Sequence, residues 1–217
     1  MKTWNVSVKQ TMHHILLGVG AAAVGVALMI APAQADGVTP PAVPGDITVP
    51  AGNVAYLVGH ATGTQNYVCL PSGSGVAFTL FTPEATLFDD GNKQIITHYF
   101  SPDLNPIPGQ DTLNTIRATW QSQDTSTVWA KATGAATTVT DPTFVASGAV
   151  AWLRLQVVGA QNGPTGGARL SSTTFIQRVN TSGGLAPSTG CSTSADVGHE
   201  AFQPYTADYV FFRAASN

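Results

Sequence analysis

Charge is scarce in this chain. Asp, Glu, Lys and Arg together make up 10% of its 217 residues, against about a quarter in an ordinary soluble domain. The nine basic residues are scattered, no two of them adjacent, and the formal net charge is −3. A surface that binds nucleic acid needs clustered Lys and Arg. The composition therefore excludes nucleic acid as a partner.

Amphipathic helix patterns are also missing. No stretch combines apolar residues at helical spacing with helix-capping residues. Thr, Ser, Ala and Gly stand where the wet face of a helix would carry Lys and Glu. Uncharged polarity together with many Thr and Val is typical of strands. The sequence therefore favours an all-β fold.

Long apolar runs are limited to one, Ile15 to Ile30, which is shorter than the about 20 residues that cross a bilayer as a helix. Two lysines precede it, no acidic residue occurs before Asp36, and Ala33-Gln34-Ala35 has the small-x-small pattern of a cleavage site. We predict a signal peptide over residues 1–35 and an exported protein, periplasmic or extracellular, with no membrane span after cleavage. A retained membrane anchor is the alternative.

Cysteine is nearly absent, with Cys69 and Cys191 as the only two. In an exported chain, an even pair of cysteines most simply forms one disulfide. The C-x-x-C spacing typical of redox or metal-binding thiols does not occur. We therefore expect a structural Cys69–Cys191 disulfide, with a reactive or metal-binding thiol as the alternative.

Short β-type runs, bounded by Gly, Pro, Asn and Asp, fill most of the chain. A proline-rich, extended lead-in over residues 36–50 precedes them and is expected to lie outside the core. The predicted strands are Val54–Gly59, Thr64–Leu70, Val76–Phe81, Ile95–Phe100, Ile116–Gln121, Ser126–Lys131, Thr137–Thr140, Val150–Val158, Thr173–Val179 and Thr206–Arg213. They indicate one all-β domain over residues 51–217, an antiparallel sandwich or barrel of about ten strands with long loops.

Two details of this pattern bear on function. The last predicted strand is apolar on both faces, so we expect it to be covered on both sides. Two connections, Ser101–Thr115 and Asn180–Pro204, are longer than most loops. Because Cys191 pins the second near its middle, we predict an ordered lid or binding loop near one end of the fold.

Three segments carry the most distinctive sequence. They are HATGTQNYVC over residues 60–69, IQRVNTSGG over residues 176–184 with Gly190-Cys191 after it, and PYTADY over residues 204–209. Together they resemble a family of exported bacterial and fungal proteins that is catalogued only as a domain of unknown function. The resemblance spans roughly Val49 to Phe212 and implies export, paired cysteines and a single domain.

Some fungal relatives in that family carry a dehydrogenase label. The strand–G-x-G-x-x-G–helix unit that binds nicotinamide cofactors does not occur here, so we expect no cofactor. The G-x-S-x-G elbow of serine hydrolases is absent too, and most carboxylates stand in turn-forming settings. We name no catalytic residue and leave open whether the protein is an enzyme. The alternative is an exported hydrolase or metal-dependent enzyme that uses His60, His199 or Asp208.

A metal site would draw on His60, His98 and His199. His60 stands shortly before Cys69 and His199 shortly after Cys191, so a disulfide would bring these two segments together. Three histidines and a carboxylate can complete a zinc or copper sphere. The alternative is three unrelated histidines.

Asp208 stands between tyrosines in an apolar run, so its burial would require a partner. Arg178, in the preceding predicted strand, is the best candidate. We expect an Arg178–Asp208 ion pair that joins two strands, with a ligand-binding role for both residues as the alternative.

Amides and hydroxyls beside aromatic side chains suit a sugar or another small polar ligand. The candidate ligand-binding set is Gln65, Tyr67, Gln177, Arg178, Asn180, Tyr205 and Asp208. The same amides could instead satisfy backbone groups in irregular loops. The sequence thus predicts an exported, non-catalytic domain that binds a polar ligand, either carbohydrate or cell-envelope material, or that serves a structural surface role.

Overall fold

The strands form where β-branched and aromatic residues alternate with Thr, Ser and Gln. The structure, a computed structural model, describes residues 38–216, so the predicted signal peptide lies outside it. Its strands are β1 (Asn53–Ser72), β2 (Gly75–Phe88), β3 (Gln94–Pro102), β4 (Ile116–Ser122), β5 (Thr127–Ala132), β6 (Thr138–Val139), β7 (Trp152–Gln161), β8 (Thr173–Gly183) and β9 (Glu200–Ala214). Short 3₁₀ helices occupy Gly45–Ile47, Ala135–Thr137 and Ser194–Asp196.

The strands form one antiparallel sheet in the order β5-β4-β3-β2-β1-β9-β8-β7-β6. Because β5 also pairs with β7, eight strands close into a barrel and β6 remains as an extra strand beside β7. The predicted all-β antiparallel fold is thus confirmed, and it takes the barrel form. Closure leaves no free edge on the eight strands of the barrel.

The first two predicted strands are a single long one. The sequence predicts that the first strand ends at Gly59 and the second begins at Thr64, but β1 continues through this segment and includes Gly63. A Cβ atom at Gly63 would collide with the backbone of Glu84 and Ala85 on β2. Glycine here permits close approach of two strands, which is why the predicted gap between residues 59 and 64 does not exist.

The barrel has two different ends because antiparallel strands alternate in direction. At one, the closed end, the connections are residues 89–93, 123–126 and 162–172. At the other, the open end, they are the β1–β2 turn and residues 103–115, 133–151 and 184–199. Both connections that the sequence marked as long therefore meet at the open end.

The closed end is filled by core side chains. Leu170, from the connection between β7 and β8, is 0% exposed and packs with Leu87, Trp120 and Phe211 in the barrel interior. Its amide donates to Ser126 Oγ at 3.0 Å, which ties this connection to the β4–β5 turn. The barrel is therefore sealed at this end.

A second apolar cluster covers the outside of β7, β8 and β9. Val210 and Phe212 face outward into it, whereas Tyr209 and Phe211 face the interior. The last strand is thus covered on both sides, as predicted. Ile47 is 0% exposed within this outer cluster, and Gln177 Nε2 donates to its carbonyl oxygen at 2.7 Å. The expectation that residues 36–50 lie outside the core is therefore wrong for this part of the lead-in.

The disulfide between Cys69 and Cys191 is formed and joins β1 to the connection over residues 184–199, which confirms the predicted pairing. Two backbone hydrogen bonds support it, from Cys69 N to the His199 oxygen at 2.8 Å and from Gly198 N to the Cys69 oxygen at 2.9 Å. This loop is therefore held at the open end by covalent and hydrogen-bonded contacts. Nowhere in residues 38–216 is there a helix with the length and apolarity needed to span a bilayer.

Candidate functional site

A cavity of about 420 Å³ lies in the open half of the barrel. Strands β1 to β5 and β7 to β9 all contribute to its wall, and Leu185 adds a side chain from the disulfide-linked connection. Cavities of about 300–1,000 Å³ are the size that holds small molecules in proteins. The barrel interior is therefore filled at the closed end and vacant toward the open one.

Most of the wall is apolar. Its side chains include Leu80, Phe100, Ala118, Val150, Leu153 and Leu155. Leu80, Ile116 and Leu185 are also substantially exposed, which places apolar surface where the cavity meets solvent. Such a wall favours a ligand with an apolar body, because burial of apolar surface against it is energetically favourable.

Three cations occur among the residues of the cavity wall, and of these Arg178 faces the interior. Arg117 and Lys131 alternate with the interior residues Ala118 and Ala130, so their side chains point outward. Asp111 accepts from Arg117 at 2.7 and 2.8 Å, and this arginine lowers the pKa of Asp111 to about 2. Lys131 Nζ donates to the Gln110 carbonyl oxygen at 2.7 Å. No Asp or Glu within residues 38–216 belongs to the lining, so the charge that faces the cavity is that of Arg178.

Arg178 differs from the other two cations in its partners. Its Nε and Nη2 atoms donate to one acceptor, the Ala151 carbonyl oxygen, at 3.1 and 2.9 Å. No carboxylate in the described part of the chain forms an ion pair with it. The half-buried guanidinium of Arg178 therefore has no counter-ion among the described residues beside the cavity.

Two lining residues carry hydrogen-bond donors that have no protein partner. Gln65 is 1% exposed and Trp120 is 0% exposed, and within residues 38–216 neither Gln65 Nε2 nor Trp120 Nε1 finds an acceptor. Leaving such a buried donor unpaired costs about 1–3 kcal/mol. The cavity wall therefore has two donors that can form hydrogen bonds with an acceptor on a ligand.

His98 forms an aromatic cluster with its neighbours in the cavity wall. Its ring stacks on Trp120 with centroids 4.2 Å apart and meets Tyr209 edge-on at 5.1 Å. Burial lowers the pKa of His98 to about 3, and its Nδ1 atom donates to the Thr119 carbonyl oxygen at 2.9 Å. His98 is therefore a neutral aromatic side chain at any physiological pH.

The candidate ligand-binding set is divided between two faces of the barrel wall. Gln65, Tyr67 and Arg178 line the cavity, and Tyr205 lies in the core beside them. Tyr67 also donates to the Gly184 oxygen at 2.7 Å, which holds β1 against the start of the 184–199 connection. The other three, Gln177, Asn180 and Asp208, take part in contacts on the outside of the barrel.

The expected Arg178–Asp208 pair does not form. In the β8–β9 register, Arg178 lies opposite Tyr209, whereas Asp208 lies opposite Val179. Neighbouring residues of a strand point to opposite faces, so Arg178 faces the cavity and Asp208 faces outward. The sequence pattern identified two unusual charges correctly but did not separate their faces.

Asp208 instead belongs to a polar cluster on the outer surface. Its Oδ1 atom lies 2.7 Å from His60 Nδ1, and its Oδ2 atom accepts from Asn180 Nδ2 at 2.7 Å. The second ring nitrogen of His60 lies 2.9 Å from Asp90 Oδ1. The Asp90 and Asp208 carboxylates raise the pKa of His60. With both nitrogens in contact with carboxylates, His60 joins β1, β9 and the β2–β3 turn.

The three histidines do not come together. His98 is buried in the barrel interior, His60 lies on the outer surface, and His199 lies in the open-end connection with Asp196 at 3.6 Å. Residues 38–216 contain no group of three side chains able to hold a metal ion. The predicted metal set is therefore corrected, because the strands place its members on different faces.

The fold places this protein in the class of eight-stranded antiparallel barrels. Its barrel is filled at one end and has a cavity at the other. The chain belongs to the family described as Protein of unknown function (DUF3455), whose model matches residues 50–213. This confirms the resemblance seen in the sequence. Neither the curated proteins nor the solved structures include a match to this chain.

Proposed function

We propose that this protein is a non-catalytic binding module that holds a small, largely apolar molecule inside the open half of its barrel. The observation that carries the proposal is the cavity of about 420 Å³ with its mostly apolar wall. A few polar groups within an apolar pocket are the usual arrangement for fixing a ligand's orientation. This cavity combines an apolar wall with a few polar side chains.

The same wall argues for a ligand less polar than the predicted carbohydrate. Each buried sugar hydroxyl would need its own hydrogen-bond partner. The cavity offers polar side chains at few positions, among them Gln65, Tyr67 and Arg178. An exported location, periplasmic or extracellular, remains part of the proposal because the Cys69–Cys191 disulfide is of the kind that persists in oxidising compartments.

The test is titration with Nile red, an uncharged dye whose emission shifts to shorter wavelength in apolar surroundings. We expect saturable binding of one dye per protein. Ala118→Phe, which fills the cavity, should weaken binding at least tenfold. Ala77→Phe is the matched control because Ala77 is exposed on β2 and outside the lining.

Binding that survives Ala118→Phe in a folded protein would contradict the proposal, since the dye would then bind elsewhere. Failure of Nile red and of uncharged alcohols to bind at all would also contradict it. That second result would favour the structural surface role.

A further inference from the structure

The charges of this protein are distributed unevenly between the cavity and the rest of the molecule. The chain is acidic overall, with 12 Asp and Glu against 9 Lys and Arg. Yet the charged side chain that faces the cavity is a cation, Arg178, and no acidic residue of the described chain belongs to the lining. A cation in the wall of a low-dielectric cleft attracts anions into it.

Arg178 is the cation left available to a ligand. A guanidinium has five N–H donors, and the Ala151 carbonyl uses two of those of Arg178. A carbonyl oxygen accepts hydrogen bonds but does not neutralise the charge. Arg117, by contrast, is neutralised by two contacts with Asp111. A planar guanidinium with free donors suits a carboxylate, which it can bind through two parallel hydrogen bonds.

The unpartnered polar atoms of the cavity wall also favour a ligand that carries acceptor oxygens. Gln65 Nε2 and Trp120 Nε1 are donors, and they are the two unpartnered buried side-chain atoms that belong to lining residues within 38–216. The unpartnered buried acceptors, such as Asp103 Oδ2 and Gln177 Oε1, belong to residues outside the lining. A ligand with acceptor oxygens would satisfy these donors, whereas a ligand amine would find no counter-ion.

From these observations we infer that the ligand is an amphiphilic organic acid, whose apolar body fills the barrel and whose carboxylate binds Arg178. This inference rests on the proposed binding function and narrows it to one chemical class. The apolar wall selects the body, and Arg178 with the neighbouring donors selects the charged group.

The experiment compares three ligands with the same chain and different head groups: decanoate, 1-decanol and decylamine. Each is titrated against the protein loaded with Nile red, and its affinity is obtained from the loss of dye emission. We expect decanoate to bind about ten- to hundredfold more tightly than 1-decanol, the range for hydrogen bonds to a charged group. Decylamine should bind most weakly.

Arg178→Met should lower the ratio of decanoate affinity to decanol affinity to about one. Arg169→Met is the matched control, because Arg169 is exposed at the closed end and its loss removes the same charge. The control should keep the wild-type ratio. Damage to the fold would lower both affinities together and leave the ratio unchanged, so the ratio separates recognition from stability. If Arg178→Met does not fold, Arg178→Lys replaces it and should reduce the ratio without abolishing it.

Equal binding of decanoate and 1-decanol by the wild-type protein would overturn the inference and leave the proposed function intact. An unchanged ratio in folded Arg178→Met or Arg178→Lys would also overturn it. If neither the dye nor any of the three ligands binds, the result contradicts the proposed binding function itself.

Discussion

The two ends of the barrel are made by the same strands and differ in their connections. At the closed end, residues 162–172 place Leu170 into the core. At the open end, the connection over residues 184–199 is tied down by Cys191 and lies beside a cavity. Well-packed cores stabilise a protein, and vacant ones provide a binding site. In this barrel the packed core lies at one end of the interior and the cavity lies at the other.

Paired leucine substitutions should separate the two ends most strongly. Leu170→Ala removes a fully buried side chain at the closed end and should lower the free energy of unfolding by about 2–5 kcal/mol. Leu185→Ala removes a side chain that is 49% exposed at the open end, and the change in free energy should stay within about 0.5 kcal/mol. Urea unfolding measures both. The affinity for Nile red should show the reverse order, because Leu185 lines the cavity.

Equal loss of stability from the two leucine substitutions would remove the distinction between the ends. So would unchanged dye binding in Leu185→Ala.

Asp124 should make the closed end sensitive to acid. Burial would raise its pKa, but hydrogen bonds from Ser126 and from the Arg169 amide outweigh burial and lower the pKa to about 2. An unfolded Asp has a pKa of about 3.9. The stabilisation is therefore present above that pH and disappears as the pH falls toward 2.

The variant Asp124→Asn should be about 1–3 kcal/mol less stable than the wild type at pH 7. The difference should shrink as urea unfolding is repeated from pH 5 down to about pH 2. A difference that stays constant across that range would show that the charge of Asp124 plays no part.

His60 should have the smallest effect, because the outer cluster is solvent-exposed. The Asp90 and Asp208 carboxylates raise its pKa, so its contribution is fully present below about pH 6.5, the pKa of an unfolded histidine. That contribution is lost as the pH rises through the raised pKa of the folded state. With His60 45% and Asp90 99% exposed, His60→Gln should cost less than about 1 kcal/mol. NMR titration of the imidazole gives the pKa directly, and a midpoint at or below about 6.5 would contradict the assignment.

Much of the fold can be predicted from local sequence. The apolar pattern of the last predicted strand correctly indicated cover on both sides, since Tyr209 and Phe211 face the interior and Val210 and Phe212 face the outer cluster. The pairing of Cys69 with Cys191 followed from there being no other cysteine. Glycine was ambiguous, since a strand break and a close strand contact require the same residue, and Gly63 provides the contact.

The cavity could not be predicted in the same way. It exists because β5 pairs with β7 and closes the sheet, and that pairing is not encoded in any single segment. Arg178 and Asp208 were paired because both are unusual in apolar runs. Applying strict alternation to the pairing of β8 with β9 would have placed them on opposite faces.

The position of β1 has a consequence for how the polypeptide folds. β1 is the first strand to be synthesised, yet in the finished sheet it lies between β2 and β9, the last strand. One side of this 20-residue strand therefore has no hydrogen-bond partners until the 15-residue strand β9 pairs with it. Such long-range pairing slows folding, and a free strand edge invites other chains. A chain that lacks β9 would leave that edge permanently open, so closure of the barrel depends on this strand.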